Sequence, residues 1–170
     1  MTIQSASSSI ITSPCFGWTY DVFLSFRGED TRQRFTDHLY AALNRKGIFV
    51  FRDDNELKRG KSIRPELFKA IEESRFSIIV FSKNYAYSTW CLDELVKIVE
   101  DQHTSDQQMV FPIFYGVEPT VIRKQIGDFR EAFIEHENAF RDDIERVQKW
   151  RNALKEVADI SGWELKDRYN

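Results

Sequence analysis

Trp90 and Glu94 stand four residues apart in the run Ser88-Thr-Trp-Cys-Leu-Asp-Glu-Leu95. On a helix that spacing puts an aromatic ring and a carboxylate one turn apart on the same side. Leu92, Leu95, Val96 and Val99 form the apolar stripe of that helix, and Glu94, with Lys97, falls away from it. Two readings are open. Trp90 packs under a loop and Glu94 is a surface charge, or the pair is a carboxylate beside an aromatic platform. A second cluster is basic: Lys58, Arg59, Lys61 and Arg64, joined by Arg27 and Arg32. Guanidinium groups converging on one rim can grip phosphates in bidentate fashion, whereas scattered ones form a solvated charge cluster. A carboxylate, an aromatic platform and a phosphate rim together suit a nucleotide substrate.

The elements that must position these residues follow from periodicity. Tyr20–Phe26 reads as a buried strand. Arg27–Asp30 reads as a polar turn, with Asp30 or Thr31 capping a helix whose stripe is Phe35, Leu39 and Leu43 and whose end is Gly47. Ile48–Phe51 is a second strand, followed by a polar loop to Ser62, and Pro65 suits the first turn of a helix using Leu67, Phe68 and Ile71. Phe76–Phe81 is a third strand, and Ser88 or Thr89 caps a helix to about Asp101. Met109–Tyr115 is a fourth strand, in which Pro112 implies an edge position or a local irregularity. Residues 116–127 read as a long connection and Phe129–Phe140 as a helix; a last helix from Ile144 stops at Gly162.

Strands alternating with helices at this spacing predict an α/β fold of flavodoxin-like outline. It is a three-layer sandwich with a central parallel sheet of four to five strands and helices on both faces. Ligands of such sheets bind beyond the carboxyl ends of the strands, here Arg27–Arg32, Arg52–Ser62, Ser82–Trp90 and Gly116–Thr120.

Several chemistries are excluded. Gly60-Lys61-Ser62 resembles the end of a phosphate-binding loop, but position 55 is Asn where that motif needs glycine. No Gly-x-Gly-x-x-Gly follows a strand. His136-Glu137 opens a zinc-protease pattern that Phe140 breaks, and His38, His103 and His136 make no metal cluster, so no metal site is expected. The third strand ends Phe81-Ser82-Lys83 and lacks the aspartate of a phospho-acceptor domain.

The 170 residues suit one domain large enough to fold without disulfides or metals. Twenty-four basic against 27 acidic residues leave a net charge of −3, which argues against nucleic acid as the main partner and against an anionic membrane. Two cysteines, Cys15 and Cys91, make no disulfide framework and favour a reducing compartment. Residues 1–18 are Ser/Thr-rich without the basic start of a signal peptide, and read as a disordered leader.

At the motifs themselves the chain resembles a known family. Tyr20-Asp-Val-Phe-Leu-Ser-Phe-Arg-Gly-Glu-Asp-Thr-Arg32, Asp53-Asp-Asn-Glu-Leu-Lys-Arg-Gly60, Ser88-Thr-Trp-Cys-Leu-Asp-Glu-Leu95, Pro112-Ile-Phe-Tyr-Gly-Val-Glu-Pro119 and Arg123-Lys-Gln-Ile-Gly-Asp-Phe129 occur in the order seen in plant Toll/interleukin-1 receptor (TIR) domains. The resemblance implies a TIR domain over 19–166, with 167–170 a tail. It implies an intracellular immune-signalling module that self-associates, cytoplasmic with the nucleus as a second location. The expected partners are further TIR copies and other TIR-type immune receptors. It also implies an NAD(P)+ nucleosidase, with NAD+ or NADP+ as substrate and no resident cofactor, that triggers cell death through ADP-ribose-type products.

Residue by residue, the resemblance makes Glu94 the catalytic carboxylate. It places Arg27, Gly28, Glu29, Asp30, Thr31, Arg32, Arg59, Gly60 and Trp90 around the dinucleotide. Cys91 matches a cysteine linked to a second activity making 2′,3′-cyclic nucleotides, and reads equally as a buried small apolar residue. His38 and Gly127 match two self-association surfaces. Asp37 stands where the family has serine, and like charges across a two-fold axis would weaken that contact unless each meets a basic partner. A non-catalytic TIR–TIR interaction module is the alternative from a different class. A nucleic-acid-acting synthetase using the basic loop is a third, disfavoured by the pI of about 5.7.

Overall fold

A computed structural model describes residues 17–53 and 64–166. Lys58, Arg59, Gly60, Lys61, Cys15, most of the leader and the 167–170 tail lie outside the described residues. Five strands form one sheet: β1 Tyr20–Phe26, β2 Val50–Arg52, β3 Ser74–Phe81, β4 Met109–Tyr115 and β5 Trp163–Leu165. Their order is β2-β1-β3-β4-β5 and every pairing is parallel, so all carboxyl ends lie along one edge. The helices are α1 Gly28–Thr31, α2 Asp37–Arg45, α3 Arg64–Glu72, α4 Thr89–Thr104, α5 Pro119–Lys124, α6 Asp128–Ala139 and α7 Ile144–Ala158.

Alternation along β1 sorts its side chains between two cores. Val22, Leu24 and Phe26 join Val50 and Val80 beneath Phe35, Leu39, Tyr40 and Leu43 of the first helical segment. Phe23 points the other way, into the larger core with Leu92 and Leu95 of α4, Phe129 and Phe133 of α6, and Trp150 and Leu154 of α7. The expected sandwich with helices on both faces is therefore present, and its two layers are unequal.

Four local expectations change. Arg27–Asp30 is not a turn: the helix starts at Gly28, neither Asp30 nor Thr31 caps it, and a π-helical turn at Arg32–Thr36 joins α1 to α2. The connection 116–127 contains α5. Pro112 is not on an edge strand, because β5 pairs with β4 beyond it, from Ile113 to Tyr115. Its carbonyl faces Gly162, just before β5 starts, and proline's missing N–H on that side costs no ladder bond. Gly162 does not end the last helix, which stops at Ala158. It is the residue at which the chain brushes Pro112: a Cβ there would lie 2.2 Å from the Pro112 carbonyl oxygen and 2.9 Å from its Cγ. Ser88 does cap α4, accepting from the Cys91 N–H at 3.2 Å.

Gly162→Ala is expected to push β5 off the sheet and lower unfolding free energy by about 1–3 kcal/mol, read as a lower urea midpoint at unchanged slope.

Candidate functional site

Helix α4 carries the site, and its buried face is broader than the sequence stripe. Cys91, Leu92, Glu94, Leu95, Ile98 and Val99 are all buried, and Glu94 is only 3% exposed. The placement of Glu94 away from the apolar stripe is thus corrected, and with it the surface-charge alternative: Cys91 and Ile98, one turn on either side, extend the apolar face around to it. The carboxylate turns toward β1, where the Ser25 hydroxyl donates to Oε2 at 2.7 Å. Tyr85, from the 3₁₀ turn Tyr85–Tyr87, places its hydroxyl 2.9 Å from Ser25 Oγ and 3.2 Å from the Cys91 carbonyl. Ser25 and Tyr85 are fully buried. The neighbouring Asp93 turns the other way, accepting from Arg146 through Nε and NH2 and from Trp150 Nε1 at 2.9 Å, which clasps α4 to α7.

Trp90 is half-buried, and its indole N–H donates to Asp53 Oδ2 at 2.7 Å. Asp53 follows β2 and is itself buried, so the ring is pinned across the carboxyl ends of two strands. Arg32 donates to the Asp53 carbonyl at 3.4 Å and lies 5.0 Å over the Phe26 ring. Arg27 pairs with Glu29 at 2.9 Å. Asp30 is turned inward, accepting from the Ser82 hydroxyl at 2.5 Å and from the Asn84 N–H at 3.0 Å, so it ties α1 to the loop after β3. Thr31 is buried against Thr36, their hydroxyls 2.7 Å apart across the π-helical turn. Gly28 opens α1.

The structure therefore gathers Arg27 to Arg32, Trp90 and Glu94 around the carboxyl ends of β1, β2 and β3. Arg59 and Gly60 are outside the described residues, and Arg64 opens α3. Cys91 is fully buried with its thiol 3.4 Å from the Phe26 carbonyl, the packing expected of a small apolar residue. Lys97, placed by the sequence on the Glu94 side, binds Glu72 of α3 and, at 2.8 Å, Asp101. Sequence reasoning missed Ser25, Tyr85 and Asp53. Ser25 is a polar residue within an apolar strand, and that was its available signal.

Asp37 and His38 begin α2, with His38 exposed. Arg52 donates to Asp37 Oδ1 at 2.6 Å and stacks 4.3 Å over Tyr40, so the basic partner that Asp37 needs comes from its own chain. Gly127 precedes α6 at φ +59°, ψ −132°, backbone that favours glycine, and a Cβ there would meet nothing within 4 Å. Among the described residues, no group of three or more His, Cys, Asp or Glu could hold a metal ion, and no helix is long and apolar enough to cross a membrane.

A parallel five-stranded sheet with a buried carboxylate and a pinned tryptophan beyond its strand ends defines a flavodoxin-like α/β domain with a site at the carboxyl edge. Residues 19–170 match the TIR domain family, and the chain belongs to it. Similar proteins include the disease resistance protein RPV1 of Vitis rotundifolia, 60% identical over 98% of this chain and 12% of the relative. The TMV resistance protein N of Nicotiana glutinosa is 58% identical over 85% of this chain and 13% of the relative. The chain thus spans a small part of the length of these curated relatives. Among solved structures, the TIR domains of the activated Roq1 resistosome, which directly recognizes the pathogen effector XopQ, share 56% identity. Their TM-score is 0.79 over 89% of this chain and 91% of theirs.

Asp53→Ala leaves the Trp90 indole N–H without this acceptor and is expected to cost about 1–2 kcal/mol in chemical denaturation, with Asp53→Asn, which keeps an oxygen acceptor, nearer wild type.

Proposed function

We propose that this domain cleaves the nicotinamide–ribose bond of NAD+ or NADP+ in plant immune signalling. The observation that carries this reading is Glu94, a carboxylate held by Ser25 beside Trp90 at the carboxyl edge of the sheet. A positive charge develops at ribose C1′ as the C1′–N bond breaks and nicotinamide leaves with the electron pair. A fixed carboxylate in a water-poor site stabilises that charge strongly, because it needs no reorganisation. Glu94 would also orient the ribose hydroxyls, and Trp90 would wall one side of the substrate. Water, or a nitrogen of the substrate's own adenine, then bonds to C1′ and loses a proton. Arg27 and Arg32 would face the diphosphate; Arg59 and Gly60, given the same role by the resemblance, lie outside the described residues. Cys91, buried as it is, has no exposed thiol for a second activity.

Self-association is part of the reading. The Roq1 resistosome contains several TIR domains. In this chain the His38 face and the Gly127 loop are the proposed contact surfaces. With Asp37 neutralised by Arg52, the first face carries an ion pair rather than a bare carboxylate. The proposed setting is an immune receptor of the disease-resistance kind, in the cytoplasm with the nucleus as a second location.

Two observations favour a non-catalytic interaction module: Glu94 is 3% exposed, and Asp30 spends its carboxylate on internal bonds. Nicotinamide release from NAD+ by the 170-residue chain at high protein concentration decides between the two. The nucleosidase predicts release that falls at least a hundredfold in Glu94→Ala, the loss expected when a transition-state charge partner is removed. Equal, background-level release from both proteins, under conditions where sedimentation shows self-association, establishes the module instead. Asp37→Ser, which strips Arg52 of this partner, is expected to weaken sedimentation-detected association rather than restore it.

A further inference from the structure

His136 is a buried polar group that the proposed chemistry does not use. It is 6% exposed, on the third turn of α6, and its Nε2 lies 2.7 Å from the Ala86 carbonyl. A carbonyl oxygen only accepts, so Nε2 carries the hydrogen and donates it. Three aromatic rings wall the imidazole. Phe133 and Trp150 make T-shaped contacts at 5.8 and 5.1 Å, and Phe140, the residue that breaks the zinc-protease spacing, stands tilted at 6.2 Å. Arg146 lies over Phe140 and Trp150, at 5.2 and 5.0 Å. Arg146 and the Trp150 N–H both bind Asp93. The aromatic box around His136 is therefore tied to α4, one residue from Glu94.

The Ala86 carbonyl belongs to the 3₁₀ turn Tyr85–Tyr87, within the segment that leads from β3 to the cap of α4. Asp30 holds the leading part of that segment, through the Ser82 hydroxyl, the Asn84 N–H and, at 3.2 Å, the Asn84 side-chain amide. His136 holds the trailing part. Ala86 is 1% exposed, so a carbonyl deprived of the imidazole N–H would find little water in its place. On one side of Ala86, Tyr85 brings its hydroxyl to 2.9 Å from Ser25 Oγ, which donates to Glu94. On the other side, Ser88 accepts from the Cys91 N–H and starts α4.

We infer that His136 is a positioning residue for Glu94: its Nε2–H fixes the turn that carries Tyr85 and leads into α4. Resting on the nucleosidase reading, in which Glu94 is the working carboxylate, this role supplies what keeps that carboxylate in register. A misplacement of about 1 Å at a reacting centre can cost about a hundredfold in rate, even when its cause lies away from the chemistry. One buried N–H that sets the approach of the turn to α4 therefore has leverage on the site without touching substrate.

Two variants separate the N–H from the ring. His136→Gln places an amide N–H near the position of Nε2 and leaves part of the box unfilled, whereas His136→Phe fills the box and has no donor. Were packing the whole role of His136, the phenylalanine variant would be the better replacement in every measurement. Positioning reverses that order at the site. The Tyr87 and Ser88 amides donate to the Asn84 and Tyr85 carbonyls and report on the turn. Their hydrogen exchange in the 170-residue chain, referred to the amides of β3, is expected to be roughly tenfold faster in His136→Phe than in wild type. In His136→Gln it is expected to stay within about threefold of wild type. The kcat for nicotinamide release follows the same order, falling about tenfold in His136→Phe with KM little changed.

Exchange no faster in His136→Phe than in His136→Gln overturns the inference. So does a kcat no lower in His136→Phe than in His136→Gln, in a chain that turns over NAD+. The exchange measurement is independent of turnover: the expected order without release from the wild type removes the nucleosidase reading and leaves the hold of His136 on the turn standing. If His136→Phe does not fold, His136→Leu, equally without a donor, takes its place with the same order expected.

Discussion

Two adjacent carboxylates on one helix have to be taken out of water on two different sides, and much of the domain is arranged around that demand. Asp93 and Glu94 are separated by about 100° around α4. A carboxylate withdrawn from solvent costs several kcal/mol, on the order given by desolvation, unless hydrogen bonds or an opposite charge replace the lost water. Asp93 receives a two-pronged guanidinium and an indole N–H from α7. Glu94 receives the Ser25 hydroxyl from β1, which in turn meets the Tyr85 hydroxyl from the turn after β3. The first arrangement clasps α4 to α7; the second turns α4 toward β1. Neighbours in sequence thus have separate duties because the helix faces different layers on its two flanks.

The rest of the site is fastened by similar reach across elements. Asp30 joins the start of α1 to the loop after β3, and Asp53 joins the end of β2 to the start of α4. The first set of bonds joins the ends of neighbouring strands, β1 and β3, and the second reaches from β2 past β1 to the helix that follows β3. Loops at such an edge have few neighbours of their own, so hydrogen bonds between them take the place of packing.

Much of this was legible in the residues. The first four strands and the helices over α2, α3, α4, α6 and α7 followed from apolar spacing, and Ser88 at the head of α4 was visible as a cap. β5 was not, since three exposed residues carry no period to read. α5 was missed because six residues inside a glycine-flanked connection make fewer than two turns, too few to show a period. Glu94 was singled out by its motif but placed away from the apolar stripe, and its burial corrects that placement: a helix covered by the sheet on one flank and by α7 on another has no single outward side. Ser25 and Asp53 escaped notice because a small polar residue in a strand, or an acid at its end, gains meaning only from what lies across the sheet.

The π-helical turn at Arg32–Thr36 has a consequence for reading the first helical segment by angle. A π-turn carries an additional residue, so everything before it is rotated by about 100° relative to an unbroken α-helix. Residues of α1 and of α2 therefore belong on two separate helical wheels. That offset lets Asp30 look inward to Ser82 while Asp37 looks out to Arg52. Thr31 and Thr36, five apart, meet across the widened turn as residues four apart would in an ordinary helix. One inserted residue thus divides a single length of chain into a part that serves the strand edge and a part that serves the outer surface.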